Sequence, residues 1–157
     1  MDVSDIDSAD RLIEQLQLQA HPEGGWYKET YRAEAGGDGR AKGTAILFLL
    51  KAGERSHWHR VDADEMWLWQ AGDPLVLEIA EDEEAQPLSE ILSADIKAGH
   101  ALQGLVPKHA WQAAQSQTPQ RAPAGYSLVS CVVVPGFDFA GFELAPPGWS
   151  PGKEAMA

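Results

Sequence analysis

The chain has 157 residues, and 24 acidic against 12 basic side chains leave a formal net charge of −12. That balance disfavours a nucleic-acid partner or an anionic membrane surface, both of which need clustered Lys and Arg. Hydrophobic residues make up 44% of the chain, enough for one packed domain over residues 1–157, while no apolar run reaches the roughly 18 residues of a membrane span.

Taken in order, the chain predicts one helix and then strands. Its first ten residues, MDVSDIDSAD, lack the basic and apolar regions of a signal peptide, so a cytoplasmic protein is expected. Residues 8–18 read as a short helix. Ser8 caps it, Asp10 suits the macrodipole in the first turn, Leu12 and Leu16 fall one turn apart, and His21-Pro22 stops it. Too short to persist alone in water, it must dock on the body. Glu23-Gly24-Gly25 is a turn, which His21 and Glu23 shape. Trp26–Arg32 alternates as a strand, with Trp26, Lys28, Thr30 and Arg32 on one face and Tyr27, Glu29 and Tyr31 on the other.

After a glycine-rich loop tip at 36–39, the apolar run 44–50 reads as a central strand buried on both sides. Further strands are predicted at 56–60, 65–70, 75–80, 88–92, 101–105, 111–116 and 126–134, with a last apolar alternation over 137–144. The acidic run 81–84 is a solvated hairpin loop, 117–125 a Pro-bearing loop, and 146–157 a Pro/Gly-rich tail poorly ordered at its end. Cys131, the one cysteine, excludes an internal disulfide and reads as a small buried hydrophobe. Many short strands without alternating helices make an all-β sandwich or barrel, and a jelly roll fits their number.

The stretch with most chemistry is Gly53 to Gly72, GERSHWHRVDADEMWLWQAG. In a regular strand His57 and His59 point the same way, and on the next strand Glu65, Trp67 and Trp69 share a face. Two imidazoles and a carboxylate meeting inside an all-β body suit metal binding or acid–base work.

Gly53, His57, His59, Glu65 and Gly72 resemble the first motif of the cupins. The glycine-to-histidine gap is shorter than usual and the histidine-to-glutamate gap one residue longer. For the second motif the candidate is Val106–Ala114, where Pro107 fits and Gln112 stands in place of the metal-binding histidine. A narrower resemblance, to a family of small, functionally uncharacterised cupins, covers nearly the whole chain. It rests on HPEGGWY (21–27), ETYR (29–32), His59-Arg60, DEMW (64–67), GDPL (72–75), WQA (111–113) and VPGF (134–137). The resemblance implies an RmlC-like double-stranded β-helix, the cupin jelly-roll barrel, with one short N-terminal helix. With the apolar N-terminal strands, it also implies a homodimer.

Three chemistries follow. A divalent metal (Zn, Mn, Fe or Ni) would take His57, His59, Glu65 and, as a weak amide ligand, Gln112, serving an oxygenase or isomerase. Some metal-free cupins are epimerases with a histidine base and a tyrosine acid. By that analogy His59 is the base, Glu65 or Asp64 orients it, and Tyr31 or Tyr27 is the acid. A ligand-binding protein would use Phe48, Trp67, Trp69, Gln103, Trp111 and Gln112 to line a pocket for a small polar or ring-shaped molecule. Ser56 beside His57 lacks the strand-turn-helix elbow of a nucleophile, and no glycine pair opens a helix as a phosphate loop would.

Overall fold

A computed structural model describes residues 8–152. They form one helix, α1 (Ser8–Gln15), and the strands β1 (Gln19–Ala20), β2 (Trp26–Arg32), β3 (Thr44–Lys51), β4 (Arg55–Val61), β5 (Asp64–Gly72), β6 (Leu75–Ala80), β7 (Leu88–Leu92), β8 (Gln103–Val106), β9 (Trp111–Ser116), β10 (Tyr126–Val134) and β11 (Phe142–Leu144). The helix stops before residue 18 because Gln17 takes a left-handed conformation at φ 57°, which turns the chain into β1. Among the described residues no helix is long and apolar enough to cross a membrane.

Two antiparallel sheets face each other, with strand orders β1-β2-β3-β10-β5-β8 and β11-β4-β9-β6-β7. This is the all-β jelly roll that the resemblance implies, built by strands that pair with partners far away in sequence. The main core lies between the sheets, where alternate residues of each strand meet: Phe48 and Leu50 from β3, Trp67 from β5, Leu75 and Leu77 from β6, Val129 and Cys131 from β10. β3 is buried on its other face too, because α1 lays Ala9 over Leu49. A smaller apolar layer covers the outside of the second sheet, where Trp58, Ala80, Trp111 and Ala113 meet Ala145 and Trp149. Residues 146–152 of the expected loose tail are therefore held: Trp149 packs on Trp111 at 4.5 Å between ring centroids, and Gly152 N–H donates to Glu83 O at 2.9 Å. The remaining tail residues, 153–157, lie outside the described residues.

Among the described residues three strands carry bulges: β5 has one at Gln70, between the pairs Leu128–Ala71 and Val129–Trp69, and those in β4 and β2 set which side chains look inward near the cavity. In β4, Ser56 faces Ala114 while His59 faces Gln112, so His57 and Trp58 together oppose one residue of β9. In β2, Glu29 faces Ile46 and Tyr31 faces Ala45, again with one extra residue on β2. Where β5 ends, Gly72 sits at φ 87°, and a Cβ there would collide with the carbonyl of Tyr126. Gly72→Ala is expected to cost roughly 2 kcal/mol in urea denaturation, since both the backbone conformation and the space forbid it.

Candidate functional site

The site begins with the turn at His21–Gly25. His21 N–H donates to Gly25 O at 2.9 Å and Gly24 N–H to His21 O at 3.0 Å, which folds the turn on itself. Gly24, at φ 104°, lies so close to Arg55 that any Cβ would strike its carbonyl. His57 N–H then donates to Glu23 O at 2.7 Å, docking the turn on β4. The side chain of Glu23 is thereby delivered into the barrel.

There Glu23 is the hub of a buried cluster. Its Oε2 accepts from Ser56 Oγ at 2.6 Å and pairs with His59 Nδ1 at 2.7 Å. His59 Nδ1 also lies 2.8 Å from the carbonyl of His57, so that nitrogen carries a hydrogen and Nε2 is left to the cavity. Burial alone would push His59 towards neutrality, but the Glu23 carboxylate outweighs it and raises the imidazole to about 9. Glu23 in turn is held below the usual carboxylate range, because His59 overcomes the desolvation that would raise it. The pair is a buried imidazolium–carboxylate at neutral pH.

His21 plays a different part. The backbone N–H of Glu23 donates to His21 Nδ1 at 3.1 Å, which makes Nδ1 an acceptor and puts the ring's hydrogen on Nε2. Burial lowers its pKa despite the nearby Glu23, so the 3.3 Å approach of the two side chains is a close contact of a neutral ring rather than an ion pair. Tyr27 and Phe142 hold the ring edge-on, at 4.6 and 6.0 Å.

On the opposite sheet, Glu65 ends a short relay. Trp67 Nε1 donates to Gln112 Oε1 at 2.8 Å, and Gln112 Nε2 donates to Glu65 Oε1 at 2.9 Å. Burial raises Glu65 to about 7, with the attraction of His59 only partly offsetting it. Beside it, burial and the Glu65 carboxyl push the Cys131 thiol well up, so Cys131 stays a protonated donor. Gln112→Leu is expected to orphan the Trp67 N–H, cost about 1–3 kcal/mol, and raise Glu65 further, because one bond favouring its charged form is gone. Urea denaturation and a carboxyl NMR titration check the two effects separately.

These groups open on a cavity of about 480 Å³, lined among others by His21, Glu23, Tyr27, His59, Glu65, Cys131, Phe137, Phe139 and Phe142, with Glu29, Arg32 and Asp138 also on its wall. The structure thus brings His59 and Glu65 to one cavity. Phe48, Trp67 and Gln112 are buried and lie behind its wall, with Phe48 and Trp67 stacked edge-to-face at 5.8 Å.

The other expected site residues lie elsewhere, each for a stated reason. The β4 bulge turns His57 outward, where its Nε2 lies 2.9 Å from Pro146 O. The β2 bulge does the same to Tyr31, 61% exposed, and brings Arg32 to the cavity instead. Trp111 neighbours the inward Gln112 on β9, so it faces the outer layer, with the Arg60 guanidinium 4.6 Å above its ring. Gln103 is exposed because the next residue, Gly104, is the inward one, opposite Trp67. Trp69 is half-buried against the core and donates to Asp73 O at 3.1 Å. His21, Glu23 and the three phenylalanines were not expected at the site. HPEGG was the available signal for the first two.

The expected metal set does not come together. His57 faces away, the Gln112 carbonyl is taken by Trp67, and Nδ1 of His59 is taken by Glu23. Among the described residues no group of three or more His, Cys, Asp or Glu side chains is arranged to hold a metal ion.

Comparisons with known proteins agree with the architecture. A hypothetical protein from Leishmania major is similar at 37% identity over 86% of this chain and 85% of its own, with a TM-score of 0.77. A structural-genomics protein from Shewanella oneidensis is similar at 40% identity over 87% and 84%, with a TM-score of 0.78. Oxalate decarboxylase from Bacillus subtilis, 12% identical over 82% of this chain and 30% of its own with a TM-score of 0.58, shares the fold alone. No curated protein is significantly similar in sequence. Residues 10–145 match the family described as Cupin superfamily (DUF985), and the chain belongs to that family.

Proposed function

We propose that this cupin binds a small polar, ring-shaped molecule in its barrel and moves a proton on it without a metal, as an isomerase or epimerase does. The observation that supports the reading is that one cavity holds the His59–Glu23 pair together with Glu65, two acid–base groups in opposite working states. Glu65 rather than His59 takes the part of the base, because the Glu23 carboxylate keeps the His59 imidazole protonated, and above about pH 7 the Glu65 carboxylate is a base of suitable strength for a proton next to a carbonyl. The carbon–hydrogen bond breaks, the proton passes to Glu65, and the electron pair moves onto the carbonyl oxygen. His59 meets that developing charge through Nε2–H while Glu23 keeps the ring protonated and fixed. A proton given to the other face by a second acid, with Glu65 left protonated, yields an epimer; return of the proton from Glu65 to the former carbonyl carbon, with the hydroxyl proton passing to the former carbonyl oxygen, yields an isomer. Of the two tyrosines expected as the acid, Tyr27 lines the cavity and Tyr31 does not, so Tyr27 is the second acid.

Because Glu65 must be ionised and His59 protonated, activity is expected to follow a bell in pH with limbs near 7 and 9. The decisive experiment incubates the protein in deuterated water with free sugars, sugar phosphates and sugar nucleotides, and follows deuterium uptake by mass spectrometry. Uptake that falls at least about 100-fold in Glu65→Gln is expected. Bound ligand without uptake would replace this reading with a non-enzymatic binder.

A further inference from the structure

We infer that the cavity takes an uncharged hydroxylated ring rather than a phosphorylated one, and that Glu29 sets this choice by occupying Arg32. The inference rests on the proposed function only in taking this cavity as the ligand site. It does not depend on turnover.

A phosphate ester or a sugar nucleotide needs a cation with a free hydrogen-bonding fork. Among the described residues lining the cavity, Arg32 is the one Lys or Arg. The edge of its guanidinium that can bind an anion bidentately through Nε and Nη2 is already engaged: Nε donates to Glu29 Oε1 at 2.8 Å, and Nη2 donates to Glu29 Oε2 at 2.8 Å and to Phe137 O at 3.1 Å. Asp138, on the same wall, adds a second carboxylate within reach of the guanidinium. Deeper in, the imidazolium of His59 is matched by Glu23. A phosphate dianion would therefore enter a cavity whose wall carries Glu23, Glu29, Glu65 and Asp138 and whose cations are both paired.

What the cavity offers instead is an apolar wall and a few polar atoms at its base. Phe137, Phe139 and Phe142 stand edge-to-face at 4.9, 5.8 and 5.9 Å between centroids, a single aromatic surface for the C–H face of a ring. The Nε2–H groups of His21 and His59 and the carboxyl of Glu65 suit hydroxyl and carbonyl oxygens. A free sugar or its lactone has that chemistry.

Glu29 and Arg32 are 35% and 48% exposed, so their pair contributes little to the fold and can be opened without unfolding it. The test is calorimetry with glucose, fructose and gluconolactone against glucose 6-phosphate and fructose 6-phosphate, on the wild type and on Glu29→Gln. The wild type is expected to bind at least one uncharged probe at least 10-fold more tightly than any phosphate ester. Glu29→Gln, with Arg32 released, should bind the esters at least 10-fold better and the uncharged probe within 3-fold of before. Wild-type preference for an ester, or binding of no uncharged probe, overturns the ligand class. An unchanged ester affinity in Glu29→Gln, with an unchanged melting temperature, overturns the role of Glu29. An uncharged probe that binds without exchanging deuterium leaves this inference standing and defeats the proton-transfer reading. A phosphate ester that exchanges deuterium does the reverse.

Discussion

Glu23→Gln is expected to destabilise the protein by about 3–5 kcal/mol near pH 6, because it leaves the buried imidazolium of His59 without its counter-charge. The sign with pH follows from the two partners. His59 titrates higher in the fold than when unfolded, so its stabilisation is complete below 6.5 and is lost as pH rises through about 9. Glu23 titrates lower in the fold, so its stabilisation is present above 4.5 and is lost as pH falls through its folded value. The deficit of the variant should therefore be widest between pH 4.5 and 6.5 and shrink towards pH 9. In the variant, burial dominates and His59 should titrate below 6.5. An NMR titration that still finds His59 near 9 would show that another group holds its charge.

Glu65→Gln should do the opposite: stabilise the fold while removing the base. Burial lifts Glu65 from 4.5 to about 7, so the fold favours its protonated form. That preference contributes fully at low pH, declines from pH 4.5 upward, and is gone above pH 7. A neutral amide escapes the decline, and at pH 8 the variant should gain roughly 3 kcal/mol. For a chain of this length that is a melting temperature higher by about 6–12 °C. At pH 4 the two proteins should melt alike. Such a gain bought with lost deuterium uptake would mark Glu65 as a group kept for chemistry. Equal melting temperatures at pH 8 would show that the carboxyl is solvated after all.

Most of the fold was legible because the strands announce themselves by alternation and by turns. Trp26–Arg32, Leu75–Ala80, Leu88–Leu92, Trp111–Ser116 and Tyr126–Val134 have the bounds expected of them. What alternation cannot show is an inserted residue. Counting in twos puts His57 on one face with His59 and Tyr31 on one face with Tyr27, and both lie at or just past a bulge where the count fails. Trp111 and Gln112 are a different matter, since neighbours on a strand cannot share a face and choosing Gln112 already excluded Trp111. Glu23 was hidden for a third reason. It sits in a turn, which has no periodicity, and only the docking of that turn on β4 gives its carboxylate a direction.

The bulge in β4 also bears on how this chain should be aligned with its relatives. Column by column, His57 matches the first member of an HxH pair. Point by point in space, that lodging belongs to Ser56, which shares the inward face with His59 although three positions separate them. A gap of one residue at 57–58 restores the correspondence, and the letters HWH then cease to spell a motif. Chains with the same extra residue should be sorted by what stands at position 56: a hydroxyl there speaks for the Glu23 cluster, an imidazole for a second ring beside His59.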